Sequence, residues 1–297
     1  KMKANNHHPE ITAATIWACR SNAIRLWLVL LFLLPVIYAQ AQEIPVRRQF
    51  TPGESVQYEL YFKWGLLMSR AGHASLSIRE AEYEGSPAFH YRLLFRTSGI
   101  IEKVYKMRDT IDCHFTPDML LLQSEKRVNE NNYYQTDDLR FSYNGGKTNA
   151  RSLRYTPTRT KIDTTLVAEE GTRMFDMLGA TLYLRSLNWE KMKAGDSFPF
   201  EVAIGRDRVK TSFRYAGQQI VKRGETLKYR TRHFYIDIYD DAFTQSKAAA
   251  EIWIGDDENH IPIKIRAKLK IGAAEVYYKD SEGLRYPLTS RVEIKKR

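Results

Sequence analysis

The sequence predicts a mainly β fold: one curved antiparallel sheet, a half-barrel or barrel-like wall, with one amphipathic α-helix packed on it. Three observations lead there. First, Ile261, Ile263, Ile265, Ala267, Leu269 and Ile271 alternate with Lys264, Arg266, Lys268 and Lys270. A period of two sets apolar side chains on one strand face and cations on the other. Second, turn-forming clusters recur about every 8–14 residues, the spacing of an antiparallel sandwich or barrel. Third, the period changes once, over residues 172–187, where Met174, Phe175, Leu178, Leu182 and Leu187 stand at helical spacings.

The amino-terminal stretch is of another kind. Residues 1–25 are polar and basic, residues 26–38 (LWLVLLFLLPVIY) are apolar, and Ala39-Gln40-Ala41 is a small-x-small site. That is the plan of a secretory signal peptide, cleaved near Ala41. The apolar run is shorter than the roughly 20 residues a spanning helix needs, and Pro35 interrupts it. Cys19 lies upstream of the run, so no lipoprotein anchor is expected. The expected organisation is therefore a signal peptide over residues 1–41 and one antiparallel β domain over 42–297, delivered to the periplasm. Cys113 is then the sole cysteine, and the fold rests on its core rather than on a disulfide. The whole chain carries 46 Lys+Arg and 35 Asp+Glu. Removing residues 1–41 takes away Lys1, Lys3, Arg20, Arg25 and Glu10 and leaves a net charge of +8. Export excludes nucleic acid as the partner of this charge. The cations interleave with apolar residues, and only Lys295-Lys296-Arg297 is a compact basic run.

Taken in order, strands are expected over 56–63, 72–78 and 89–97, with turns at Pro52-Gly53 and 84–87 and an apolar link over 64–70. Residues 98–105 form a connection with a short helical turn. Further strands follow over 107–115, 120–128 and 133–143, and Asn144-Gly145-Gly146 is a hairpin turn. Residues 152–155 and 161–167 are weaker strands. The helix over 172–187 is expected to start on a Thr172 cap. Strands resume over 198–204, 209–215, 226–239 and 249–254. The polar run Asp256-Asp257-Glu258-Asn259 then turns the chain into the closing meander.

These landmarks carry a resemblance. Phe50, Gly53-Glu54, Tyr58 and Gly72, then Phe175-Asp176-Met177-Leu178, then Trp253, Asp256-Asp257, Pro262 and Gly272 occur in an order that resembles the bacterial domain-of-unknown-function 3108 family (DUF3108) of exported proteins. The resemblance implies an exported, mostly antiparallel β protein and no catalytic residue. A helix against a curved sheet is also similar in architecture to the periplasmic lipoprotein carriers, without a shared motif.

No reaction is legible in the residues. Gly145-Gly146-Lys147-Thr148 imitates a phosphate-binding loop, yet Phe141 stands where the loop needs glycine. His73, His90, His114, His233 and His260 make no metal-ligand spacing, so no metal or cofactor is expected. Asp112 and His114 share a strand face while Cys113 points away, and Cys113 reads as a buried small apolar residue. Asp237, Asp240 and Asp241 with Asp256, Asp257 and Glu258 could pair as acid and base, but turns favour these residues anyway. Three readings stay open. In the first, a non-enzymatic binding protein holds a lipid or other apolar envelope component against Tyr58, Phe62, Phe89, Tyr91, Phe175, Leu178 and Leu182, with the helix as lid. In the second, an interaction module makes peripheral contact with anionic membrane or glycan through Lys264, Arg266, Lys268 and Lys270. In the third, carboxylates near Asp256 serve an envelope hydrolase. The oligomeric state is left open.

Overall fold

Alternating segments joined by tight turns pair with their sequence neighbours, because a two-residue connection leaves the next strand no other place to go. The structure, a computed structural model, describes residues 48–239, 246–269 and 272–293. They belong to one unit, Pro45–Arg297. The expectations for residues 1–41, Asp240, Asp241, Lys270, Ile271 and 295–297 lie outside the described residues.

A first run of strands is β1 (Ser55–Trp64), β2 (Leu67–Tyr83), β3 (Ser86–Thr97), β4 (Arg108–Phe115), β5 (Leu121–Glu130), β6 (Tyr133–Asn144), β7 (Lys147–Thr156) and β8 (Arg159–Val167), each antiparallel to the last. A second run is β9 (Met174–Phe175), β10 (Ser197–Ile204), β11 (Asp207–Arg223), β12 (Leu227–Tyr239), β13 (Ser246–Gly255), β14 (Pro262–Lys268) and β15 (Ala273–Glu282). β1 pairs with β15, which joins the runs into one sheet, and β16 (Arg291–Glu293) pairs with β12. Among the described strands only the short β9 is parallel to its neighbour β10. The ladder does not close: β8 and β9 are its two ends. Side chains bridge the gap instead. The Ser152 hydroxyl donates to the Gly205 carbonyl at 2.6 Å, Arg206 donates to the Lys161 carbonyl at 3.1 Å, and Lys210 pairs with Glu169 at 2.6 Å.

Among the described residues two helices interrupt the strands, α1 (Gly99–Val104) and α2 (Met177–Ser186). The fold is the expected one, with four local corrections. α2 starts at Met177 on an Asp176 cap, not on Thr172. The Asp176 carboxylate accepts from Leu178 N–H at 3.1 Å and Gly179 N–H at 2.7 Å. Met174 and Phe175 leave the helix and pair with β10 as β9. Residues 64–70 are not a link: Gly65-Leu66 is a two-residue hairpin turn, and Leu67 already pairs with Trp64. The weak strands at 152–155 and 161–167 are longer than alternation showed, because a full partner strand carries them.

Candidate functional site

α2 lies in the concavity of the sheet and is held from three sides. At its start the Asp176 cap also receives the Cys113 thiol at 3.4 Å. Burial pushes that thiol's pKa well above its ordinary value, so it is inert as a nucleophile. In its middle, Gly179 sits so close to Leu121 of β5 that a Cβ would stand 3.1 Å from the leucine. At its end Arg185, 2% exposed, donates to both oxygens of Glu54 at 2.6 and 3.0 Å and to the Asn259 carbonyl at 3.0 Å. His260 donates from Nδ1 to the Arg185 carbonyl at 2.7 Å and stacks on Trp189 at 3.6 Å. Burial lowers its pKa to about 4.

Residues facing each other across the strands show that α2 fills one end of the concavity only. Around its second half the inward side chains Tyr58, Ile78, Tyr91, Phe234, Ile252 and Tyr278 are all buried. Burial raises the Tyr58 and Tyr91 phenol pKa values, and Tyr91 meets Thr181 at 3.4 Å. Farther along the same inward faces, Leu60 pairs with Val276, Phe62 with Ala274, Ile265 with Val276 and Leu93 with Ile111. All of these are only part-buried. This is the end that carries the β1–β2 hairpin and the β14–β15 turn, since alternate connections of a meander lie at opposite ends.

Beside the start of α2 the wall opens into an apolar recess of about 130 Å³. Ala180 and Thr181 of α2 form its floor, Phe200 and Val202 of β10 one side, and Phe213 and Ile236 the other. Met177 stands at its mouth, 67% exposed. An apolar cavity of this size holds a benzene-sized group, so the recess fits the end of an acyl chain or a single ring rather than a whole lipid. A second depression of about 370 Å³, lined by Gln57, Arg70, His73 and Lys279 among others, is polar and open.

Of the residues singled out as ligand contacts, Tyr58, Phe89, Tyr91, Phe175, Leu178 and Leu182 are buried in packing around α2, and Phe62 alone is part-exposed on the open stretch. Leu178 and Leu182 belong to α2 itself, so the helix is a plug with its own apolar side chains sealed in rather than a lid above a site. The recess residues were missed. Met177 falls off the helix's apolar stripe, and the alternating Phe200, Val202 and Ile204 carry no sign that a recess is left beside them, with Phe200 and Val202 buried and Ile204 exposed.

The cationic strand face is engaged with its own sheet. Lys264 lies over the Trp253 and Tyr277 rings at 4.7 and 5.3 Å and pairs with Glu275 at 3.8 Å. Burial lowers its pKa. Arg266 pairs with Glu251 and Glu275, each at 3.7 Å. Lys268 is exposed. The carboxylates are engaged too. Asp256 pairs with Arg232 at 2.8 Å, and Asp237 with Arg214 at 2.7 Å. Asp257 accepts from Asn259 N–H at 3.0 Å and Ser290 N–H at 3.1 Å, which fixes the β13–β14 turn. Glu258 is exposed in that turn. Among the described residues no three His, Cys, Asp or Glu side chains are placed to hold a metal.

A sequence profile of the family described as "Protein of unknown function (DUF3108)" matches residues 57–279. The chain belongs to this family. Three residues that carried the resemblance now have places: Glu54 clamps Arg185, Asp176 caps α2, and Asp257 ties the turn that delivers Asn259 to Arg185. They hold the plug. No curated protein matches in sequence. Among solved structures, a β-barrel-like protein of domain of unknown function DUF1849 from Brucella abortus is similar, with a TM-score of 0.53 and 12% identity over 80% of this chain and 98% of that one. At that identity the likeness is one of fold.

Proposed function

We propose that this DUF3108 protein is an exported, non-enzymatic binding protein that takes the apolar end of an amphipathic envelope ligand, a lipid by chemistry, into the recess between α2 and β10–β12. The observation that carries the reading is the uneven filling of the concavity: α2 packs one end solid while the inward side chains of the other end stay part-exposed. A chain optimised for a dry core alone would close such a face, because each buried methylene is worth about 0.8 kcal/mol. Met177 suits the mouth, since an unbranched thioether side chain adapts to varied apolar surfaces. Residues 1–41 act as a cleaved signal peptide, and the periplasm is the working compartment. A carboxylate-dependent hydrolase has less support, since Asp256, Asp257 and Asp237 already hold structural partners.

Native mass spectrometry of the protein purified from an envelope fraction, followed by solvent extraction and lipid analysis, is the direct test. Titration with a fluorescent fatty acid localises the binding. Met177→Asp puts a carboxylate at an exposed position and is expected to weaken binding about tenfold or more with an unchanged melting temperature. Ala180→Leu fills the recess floor and is expected to weaken binding likewise, with a small loss of stability because Ala180 is buried. A clean apo mass together with no saturable fatty-acid binding would end the proposal, as would binding indifferent to both variants.

A further inference from the structure

The open end of the concavity carries an unusual edge. Three connections that are adjacent in the sheet meet there: the β14–β15 turn, the β1–β2 hairpin and the β3–β4 connection with α1. Each holds large apolar side chains in solvent. Leu66 at the hairpin tip is fully exposed, Leu67 is 70% exposed, Ile100 75% and Val104 80%, and Met68 and Leu269 are also exposed. The six belong to one neighbourhood. Lys63 pairs with Ala273 beside the β14–β15 turn, and Ser98 N–H donates to the Ala71 carbonyl where α1 leaves the hairpin strand. Single exposed apolar residues are ordinary, but a contiguous set marks a contact surface.

The charge around these tips favours one occupant. Arg70, Lys103, Lys106 and Lys268 are exposed among them, with Lys63 half-buried. The one acid in these three connections, Glu102, pairs with Arg108 at 2.5 Å. Apolar tips ringed by lysine and arginine match the layering of an anionic bilayer, where tips enter the acyl boundary and cations stay among the headgroups. We infer that this edge docks on the surface of an anionic lipid bilayer and turns the open end of the concavity toward it. The contact is peripheral: no described helix is long and apolar enough to cross a membrane. It involves loop tips rather than the paired Lys264–Arg266 stretch of β14. The inference does not depend on a ligand in the recess, since the tips lie outside it.

The test reads the edge directly. In the exported protein purified from an envelope fraction, where Cys113 is buried, Leu66→Cys is labelled with an environment-sensitive nitrobenzoxadiazole dye, and Ser86→Cys at the opposite end serves as reference. Vesicles of phosphatidylcholine with phosphatidylglycerol are expected to blue-shift the label at 66 and expose it to spin-labelled lipid, with little change at 86. Lys103→Glu combined with Lys268→Glu is expected to lower the apparent vesicle affinity about thirtyfold or more, from roughly 1 kcal/mol for each cation lost near the surface. No quenching at 66, or equal quenching at 66 and 86, overturns the inference. So does a label at 66 that is buried without vesicles in a concentration-dependent manner, which would make the edge a contact between copies of this chain. Fatty-acid titration of the same labelled protein reports on the recess separately, so the two readings fail independently.

Discussion

Removing the charge of Glu54 strikes the clamp that holds α2. In Glu54→Gln the Arg185 guanidinium, 2% exposed, loses its carboxylate and keeps only the Asn259 carbonyl and the neutral amide. Its Nε–H already has no partner, so no spare acceptor stands by. Breaking a buried ion pair from one side costs about 3–5 kcal/mol, because the surviving charge stays desolvated. At about 3 kcal/mol per molar urea for a domain of this size, the unfolding midpoint falls by roughly 1 M or more. Glu54→Leu with Arg185→Met removes both charges and keeps side-chain volume. Its remaining deficit is the unpaired Asn259 carbonyl, about 1–3 kcal/mol. The double variant is therefore expected to be more stable than Glu54→Gln. Equilibrium urea unfolding followed by tryptophan fluorescence measures both. A Glu54→Gln loss under about 1 kcal/mol, or a double variant less stable than the single, would refute the account of the clamp.

Three more expectations follow from local geometry. Asp176→Ala removes the acceptor for two α2 N–H groups and is expected to lose about 1–2 kcal/mol, with Asp176→Asn recovering most of it in the same urea assay. Gly72→Ala would drive a Cβ into the Arg96 carbonyl across the β2–β3 ladder, 3.0 Å from its carbon. Main chain has to move, and a loss of about 1–3 kcal/mol should lower the melting temperature by roughly 3–10 °C in calorimetry. Acid should weaken the fold through His260. Its folded pKa is about 4 against 6.5 for the free side chain, so the unfolded chain binds a proton that the folded chain refuses. Stability is complete above pH 6.5 and falls as pH drops toward 4, by roughly 3 kcal/mol from this residue. His114 and His233 are lowered by burial in the same sense. His260→Asn keeps the backbone at φ 50° tolerable and should flatten the stability profile between pH 6.5 and 4.5. An unchanged slope would remove His260 as its source.

Much of the fold was legible because its signals are local. Alternation in residues 252–278, Gly and Pro at the turns, and one change of period gave the hairpin neighbours and the place of the helix, while the full strand order and the open ladder came from the structure. Boundaries were less legible where a partner strand decides them. Met174 and Phe175 fit a helical stripe, yet β10 takes them as a strand, and Leu67 fits a link but pairs with Trp64. The site was mostly illegible. An apolar position says only that a side chain avoids water, so Tyr58 and Phe62, four residues apart on one strand, look alike. α2 covers the first, and no element covers the second to the same degree.

By itself, then, the sequence determined the antiparallel meander, the single interior helix and the residues that can face inward, since periodicity depends only on neighbours along the chain. Tertiary structure decided which inward face is sealed and which stays open, and whether a cation is free. Lys264 and Arg266 lie close to Glu275 and Glu251 only because three strands register side by side, and Arg185 reaches Glu54 across 131 residues. Those pairings depend on where the sheet curves and on how far α2 reaches into it, distances that no local pattern encodes.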